Sequence, residues 1–195
     1  MDLKRLSKRT LAIAMLVLML SLNMSAKTSA AETSVSDWDA LKTNVETGNS
    51  VIFEGNITAS DVDAIYSKNT VPETINLNSK VLDAQVNQGY ESSGIPHNSV
   101  FYFEGNAEGA KTSIMNGTIQ NAINSTLYWQ VWGSELEIAD MNFINNYVTG
   151  QYTSRYGQGG AVKLAGANKV TISDSVFTGN TVHDASNQSY GGAIE

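Results

Sequence analysis

Two copies of one sequence pattern make up residues 136–195. The first copy is segment 136–146 followed by Gly159-Gly160-Ala-Val, and the second is segment 170–180 followed by Gly191-Gly192-Ala-Ile. Phe143 and Phe177 have the same separation in the sequence as Asn146 and Asn180, whereas the two Gly-Gly pairs lie slightly closer together. The length change falls in the intervening loop, which is typical of stacked structural repeats.

Residues 1–31 have the three parts of a secretory signal. A basic start (Lys4, Arg5, Lys8 and Arg9) precedes an apolar stretch at 11–22 and small residues at 29–31. The apolar stretch is shorter than the roughly 20 residues that span a bilayer. We therefore expect Sec-type export with cleavage after Ala31, and a location at the cell surface, in the outer membrane or outside the cell.

The charge and cysteine content exclude several partners. Removing the signal takes five basic residues and one acidic residue from totals of 12 and 19, which leaves 7 and 18 and a net charge of −11. Such an acidic chain is a poor partner for nucleic acid. It has no cysteine, so disulfides and thiolate metal sites are excluded and packing must hold the exported domain together.

Residues 32–50 predict a helical cap. Ser36 is expected to cap a helix in which Trp38, Leu41 and Val45 share one face, and Gly48 is expected to end it. An open end of stacked parallel strands exposes unpaired edges and core. The helix is therefore expected to cover the first strands.

Residues 51–195 predict an all-β domain. Short apolar runs recur at one constant interval, from Phe53 to Leu77 to Phe101 and again from Ile114 to Ile138 to Val162. We expect a right-handed parallel β-helix of about five coils, given ~24 residues per coil. The chain stops one residue after the second Gly-Gly-Ala-Ile, so the repeat domain is interpreted as truncated at its C-terminus.

Stacking of successive coils explains the repeated letters, because equivalent positions then lie above one another. Phe143 would stack on Phe177 inside. Asn146 and Asn180 would occupy turns in left-handed conformations and bond to each other through their amides. Bends of the backbone before the next strand are expected at Gly159, Gly160, Gly191 and Gly192.

The pairing of Phe-x-x-Asn with a later Gly-Gly-Ala-Val/Ile in residues 136–195 resembles the repeats of polymorphic outer-membrane proteins and related autotransporter passengers of the adhesin-like β-helix type. Ile114, Asn116 and Ile119 echo the motif, although Ala122 stands where the motif has Asn. The resemblance implies surface display, with membrane attachment only through sequence beyond this chain.

The charged and aromatic residues offer several candidates for chemistry. Asp140 and Asp174 occupy equivalent positions, where they could form a carboxylate pair for hydrolysis or simply make turns. Tyr152, Arg155 and Tyr156 lie in a loop that could contact a ligand, or be solvated. The two histidines lie far apart, which gives little support to a metal site or a triad. Of Trp129 and Trp132, one is expected in the core and the other at least partly exposed.

These features favour an exported surface scaffold, adhesin-like or structural, with loops 147–158 and 181–190 contacting a surface ligand such as a glycan or a host protein. We expect no catalytic residues, cofactor or metal. A carbohydrate-active β-helix enzyme, such as a polysaccharide lyase or a glycoside hydrolase, is the alternative. A non-catalytic glycan-binding module is a third hypothesis.

Overall fold

The computed structural model describes residues 31–60, 63–85, 99–123, 125–149, 157–183 and 189–195. These residues form one α-helix and otherwise strands, and the paired strands are parallel, so the predicted all-β class is confirmed. The predicted signal lies outside the described residues except for Ala31. The strands, in chain order, are β1 Thr33–Val35, β2 Val51–Phe53, β3 Ile57–Thr58, β4 Ile65–Lys68, β5 Thr74–Asp83, β6 Ser99–Asn106, β7 Lys111–Gln120, β8 Ser125–Trp132, β9 Glu135–Ile144, β10 Tyr147–Thr149, β11 Gly157–Gln158, β12 Val162–Leu164, β13 Lys169–Ser173, β14 Val176–Thr178, β15 Thr181–His183 and β16 Ser189–Tyr190.

Helix α1 spans Trp38–Glu46 and buries the predicted face, which consists of Trp38, Leu41 and Val45. Its N-cap is Asp37 and not Ser36, because the Asp37 carboxylate accepts a 2.8 Å hydrogen bond from the Ala40 amide. The helix ends where Gly48 takes a positive φ of 80°. Its buried face packs against β1, β2 and β4.

The larger sheet has eight strands in the order β1-β2-β5-β7-β9-β13, with β3 beside β5 and β14 beside β9. Its strands pair in parallel, so that residues from distant parts of the sequence form straight columns across the sheet. One inward column contains Val51, Ile75, Ile114, Ile138 and Ile172. A second inward column contains Ile57, Leu82, Ile119, Phe143 and Phe177.

The smaller sheet has four parallel strands in the order β12-β8-β6-β4. Its inward column runs through Ile65, Phe101, Leu127 and Val162, and an isolated parallel bridge adds Ile194. The inward residues of both sheets, together with the buried face of α1, belong to one hydrophobic cluster. The two sheets therefore share a single core.

The constant interval predicted between apolar runs is only partly right. The same interval separates Val51 from Ile75 and Ile114 from Ile138, but the steps from Ile75 to Ile114 and from Ile138 to Ile172 are both longer. Phe101 and Val162, which the interval assigned to the same series, lie in the smaller sheet instead. Packing is maintained within a column, and the length of chain between its members is free to vary.

Two small parallel sheets occupy parts of the predicted ligand loops. Strand β10 pairs with β15, and β11 pairs with β16. The expectation that 147–158 and 181–190 are loops throughout is therefore wrong at their ends, where the repeats pair with each other. Tyr152, Arg155 and Tyr156 lie outside the described residues.

Left-handed residues form the bends between strand segments in the larger sheet. Asn116, Asp140 and Asp174 have φ values of 60°, 55° and 49° and lie at matching positions of β7, β9 and the β13–β14 junction. Asn and Asp are the non-glycine residues that tolerate this conformation best. In the described strands, the turn interpretation of Asp140 and Asp174 thus accounts for both residues.

The next bend differs from expectation. Its left-handed residues are Asn145 and Gly179, with φ values of 54° and 65°, each one position before the predicted Asn146 and Asn180. The Asn146 side chain is fully buried. The bend therefore turns at the preceding residue and directs the Asn146 amide into the protein.

Within the described residues, no helix has the length and apolar character needed to cross a membrane.

Candidate functional site

The outer face of the smaller sheet carries an unusual set of side chains. Residues alternate between the two sides of a strand, so burial of Ile65, Phe101, Leu127 and Val162 places their neighbours on the outside. We call this surface the aromatic face. It consists of Tyr66, Tyr102, Tyr128 and Lys163 in one column, Lys68, Glu104 and Gln130 in a second, and Asn106 and Trp132 in a third.

The tyrosine column is a continuous series of tilted ring contacts. The ring centroids of Tyr66 and Tyr102 are 5.8 Å apart, and those of Tyr102 and Tyr128 are 4.5 Å apart at an interplanar angle of 33°. The Lys163 Nζ lies 4.9 Å from the centroid of the Tyr128 ring, which is a cation–π distance. Each aromatic pair contributes about 0.5–1.5 kcal/mol beyond its buried area, so the column stiffens the outer face.

The neighbouring polar column fixes the tyrosine hydroxyls. The Tyr66 hydroxyl donates to Glu104 Oε1 at 2.7 Å, and the Tyr128 hydroxyl donates to Gln130 Oε1 at 2.8 Å. Lys68 Nζ lies 3.7 Å from the same Glu104 oxygen. Burial, helped by the charges of Tyr128 and Glu104, raises the pKa of Tyr102 well above its usual value. The Tyr102 hydroxyl therefore keeps its proton at an alkaline pH at which an ordinary tyrosine ionises.

Trp132 ends strand β8 at the rim of this face. Its side chain is 53% exposed, whereas Trp129, on the opposite side of the same strand, is fully buried and donates from Nε1 to Ser134 Oγ at 3.1 Å. The prediction of one core and one exposed tryptophan is confirmed. Gly166 lies against the Trp132 ring, since a Cβ added there would be 2.9–3.1 Å from ring atoms. One part of the indole is thus supported by the protein and the rest faces solvent.

The outer face of the larger sheet has a different character. Lys111 Nζ lies 2.9 Å from Glu135 Oε2, and Lys169 occupies the next position of the same column. The hydrogen bond and charge of Lys111, with a smaller effect of Lys169, lower the pKa of Glu135. Ser113 Oγ donates to Glu137 Oε2 at 3.0 Å. Paired charges of this kind make a solvated surface, and the aromatic face remains the better candidate site.

The structure brings the repeat residues together. Phe143 and Phe177 stack with centroids 4.9 Å apart and planes 9° apart. Asn146 Nδ2 donates to Asn180 Oδ1 at 2.9 Å, and Asn180 Nδ2 donates to the Phe143 carbonyl at 2.9 Å. These residues form the core and the bends, and they are structural.

The Gly-Gly segments also lie on one another. The Gly160 amide donates to the Gly191 carbonyl at 3.2 Å, and the Ala161 amide donates to the Ala193 carbonyl at 2.8 Å. Gly159 and Gly191 both have positive φ, 56° and 55°. The second copy of the motif is therefore the neighbour of the first in space.

Sequence reasoning missed the tyrosine column, although a signal for it was present. Three strands each contain an apolar residue followed by tyrosine, at Ile65-Tyr66, Phe101-Tyr102 and Leu127-Tyr128. The two spacings between these dipeptides are unequal, so the dipeptides do not stand out as a period. Register, which only the fold supplies, aligns them.

A shallow groove of about 260 Å³ lies beside the start of α1, between Ser36–Asp39 and the segment around Asn56 to Ser60. The Asp37 carboxylate there is used as the helix cap. Across the described parts of the chain, no three His, Asp or Glu residues are grouped so that they could hold a metal ion.

In comparisons with known proteins, no family model, no curated protein and no solved structure matches this chain.

Proposed function

We propose that this chain is an exported right-handed parallel β-helix that is displayed at the cell surface and acts as an adhesin-like or structural scaffold. Along the chain, strands of the larger and the smaller sheet alternate, in the order β2, β4, β5, β6, β7, β8, β9, β12 and β13. From β5 onward, each of these strands pairs in parallel with the preceding strand of its own sheet. Successive coils of a solenoid would produce this alternation. Helix α1 packs at the first strands, as a cap would.

The scaffold role is supported by the difference between the two sides of the smaller sheet, one of which packs in the core while the other faces outward. Inward residues are mostly apolar and join the shared core, while outward residues of the same four strands form the aromatic face. A face that is held by hydrogen-bonded strands and a shared core is rigid, and rigidity lowers the entropy lost on ligand binding. This arrangement of the smaller sheet is the observation that best supports a binding scaffold.

The likeness to polymorphic outer-membrane and autotransporter passengers supports display at the surface. The mature chain would carry a net charge of −11, from 7 basic and 18 acidic residues, which suits a solvated exterior. In this proposal the coils hold the binding surface away from the cell, and no residue performs covalent chemistry.

Export is tested by expressing residues 1–195 with a C-terminal tag in a Gram-negative host. We expect processing to a chain that begins at Glu32, as read by N-terminal sequencing, and recovery outside the cytoplasm. A matched variant lacking residues 2–31 should stay in the cytoplasm. An unprocessed cytoplasmic product from the complete sequence would overturn the export proposal.

Binding is tested with residues 32–195 coupled to fluorescent beads that are then applied to cultured host cells and to a glycan surface. Attachment above that of beads carrying an unrelated acidic protein supports the scaffold. The same protein is incubated with soluble polysaccharides, and reducing ends are measured. New reducing ends would contradict the scaffold proposal and favour the carbohydrate-active enzyme.

A further inference from the structure

The exposed tryptophan differs from the other aromatic residues of the aromatic face. The tyrosine rings make tilted contacts with one another, and Lys163 lies over Tyr128, so these rings are occupied by protein contacts. Trp132 is more than half exposed, whereas Trp38 and Trp129, the other tryptophans of the sequence, are at most 2% exposed. Within this face, the indole is therefore the aromatic surface that a ligand can reach.

Polar side chains adjoin the indole in a fixed grid. Tyr128, Gln130 and Trp132 project from the same side of β8 at intervals of two residues, roughly 6.6 Å. The paired residues of β6 are Tyr102, Glu104 and Asn106, on a strand about 4.8 Å away. The Trp132 indole is thus adjoined by the side-chain amides of Gln130 and Asn106 and by the carboxylate of Glu104. All three groups can form hydrogen bonds to hydroxyl groups.

This combination fits a pyranose sugar. A pyranose has an apolar C–H side that stacks on an aromatic ring and hydroxyl groups around its edge that bond to amides and carboxylates in pairs. The distance from Trp132 to Gln130, roughly 6.6 Å for two residues of strand, is longer than one sugar unit along a chain, so a ligand that contacts both carries a second linked unit. The grid therefore suits an extended oligosaccharide better than a single sugar.

The charges favour an uncharged glycan. Lys68 lies within 3.7 Å of Glu104, so its charge is balanced within the face, and Lys163 lies over Tyr128. The mature chain as a whole is strongly acidic and would repel an anionic polymer.

We propose that the aromatic face binds a neutral oligosaccharide, with one pyranose stacked on Trp132 and the adjoining units bonded to Gln130, Asn106 and Glu104. The inference rests on the proposed scaffold function and deepens it by naming the ligand class. It also moves the binding site from the loop of Tyr152, Arg155 and Tyr156 to the outer surface of the smaller sheet.

The experiment uses residues 32–195 and a panel of soluble neutral polysaccharides, namely a mixed-linkage β-glucan, a xylan and a galactomannan, in affinity gel electrophoresis. We expect retardation by at least one of them, and at least a tenfold weaker interaction for Trp132→Ala. Gln130→Ala tests the polar contacts independently. Val176→Ala is the matched control, because Val176 is equally exposed, at 52%, but belongs to the larger sheet.

Intrinsic fluorescence supplies a second readout. Iodide should quench Trp132 selectively, since the other two tryptophans are buried, and the retarding polysaccharide should protect it. Trp132→Phe keeps an aromatic ring and should retain more binding than Trp132→Ala if stacking is the mechanism. Thermal unfolding by circular dichroism establishes that each variant is folded.

The outcomes separate this inference from the scaffold proposal. Retardation that Trp132→Ala leaves unchanged would overturn the site. Absence of retardation by all three polysaccharides, from a chain that is exported and attaches to cells, would overturn the glycan assignment and leave the scaffold intact. Failure of export would count against the scaffold and would not alter the glycan result.

Discussion

Asn146 and Asn180, which come from successive copies of the repeat, are joined by a 2.9 Å hydrogen bond from Asn146 Nδ2 to Asn180 Oδ1. The same Asn180 oxygen also accepts from the Asn146 backbone amide at 3.1 Å. Asn146 in turn accepts from the Ala122 amide at 3.0 Å and donates to the Ile119 carbonyl at 3.2 Å. One buried side chain thus links three successive levels of the fold.

Asn146→Ala should be strongly destabilising. It removes the acceptor of the buried Ala122 amide together with the bonds to the Ile119 carbonyl and to Asn180 Oδ1, and an orphaned buried group costs about 1–3 kcal/mol. We expect the free energy of unfolding to fall by on the order of 2–4 kcal/mol in urea denaturation. Asn142→Ala, at a partly exposed position of the preceding strand β9, should change it by less than about 1 kcal/mol. Equal losses in the two variants would contradict the buried amide link.

The phenylalanine stack predicts unequal effects of one substitution. Phe143 is 1% exposed, whereas Phe177 is only partly buried. Phe143→Ala should destabilise by about 3–5 kcal/mol through lost burial and a cavity. Phe177→Ala should cost distinctly less, because its environment can relax and solvent already reaches the ring. Thermal and chemical unfolding of the two variants would measure both losses of stability. A larger loss for Phe177→Ala than for Phe143→Ala would contradict the prediction.

Two glycines at equivalent repeat positions differ in the space around them. A Cβ at Gly160 would lie 2.9 Å from the Thr181 amide nitrogen and closer still to the Gly192 carbonyl oxygen, whereas at Gly192 the nearest atom is 4.0 Å away. Gly160→Ala should therefore destabilise by about 1–3 kcal/mol through overpacking. Gly192→Ala should be close to neutral. Comparable denaturation midpoints for both variants would show that the copies do not approach as closely as described.

Tyr102 predicts a stability change at alkaline pH. The pKa of Tyr102 is raised in the folded state, chiefly by burial. The Tyr102 hydroxyl therefore ionises near pH 10 in the unfolded chain but keeps its proton at that pH in the folded chain. The contribution of Tyr102 is present below pH 10 and is lost as the pH rises further towards the folded-state pKa. Tyr102→Phe should flatten the fall in unfolding free energy between about pH 9 and 11. Tyr147→Phe, at a more exposed tyrosine, is the control, and an unaltered slope for Tyr102→Phe would rule out this cause.

The sequence predicted the structure correctly where short-range spacing of residues determines it. Alternation placed Trp129 and Trp132 on opposite sides of one strand, and the structure shows that Trp129 is the buried one. The face of Trp38, Leu41 and Val45 predicted the helix. The repeated Phe and Asn positions identified neighbours in space, because equivalent positions of successive repeats lie above one another in parallel strands. These inferences needed only the periodicity of helices and strands and the recognition of one repeat, and both can be read from the amino-acid sequence.

The register of strand pairing could not be predicted from the sequence. The length of chain between column members varies from one step to the next, so the tyrosines of three strands align only after the strands are paired. The bend at Asn145 rather than Asn146 likewise depends on which amide the interior can satisfy. Hydrogen-bond demand at a buried position decided between two adjacent asparagines that have the same intrinsic preference.

Columns that hold their register across unequal connections have a consequence for how this molecule can change. The chain from Ile75 to Ile114 is much longer than the chain from Val51 to Ile75, and yet both steps leave their residues opposite each other. Lengthening a connection further should be inexpensive, since each doubling of a flexible loop costs only about 0.6 kcal/mol. An insertion between Gln85 and Ser99 would thus lengthen one connection while the columns keep their pairing, so this part of the chain can diversify at little cost in stability.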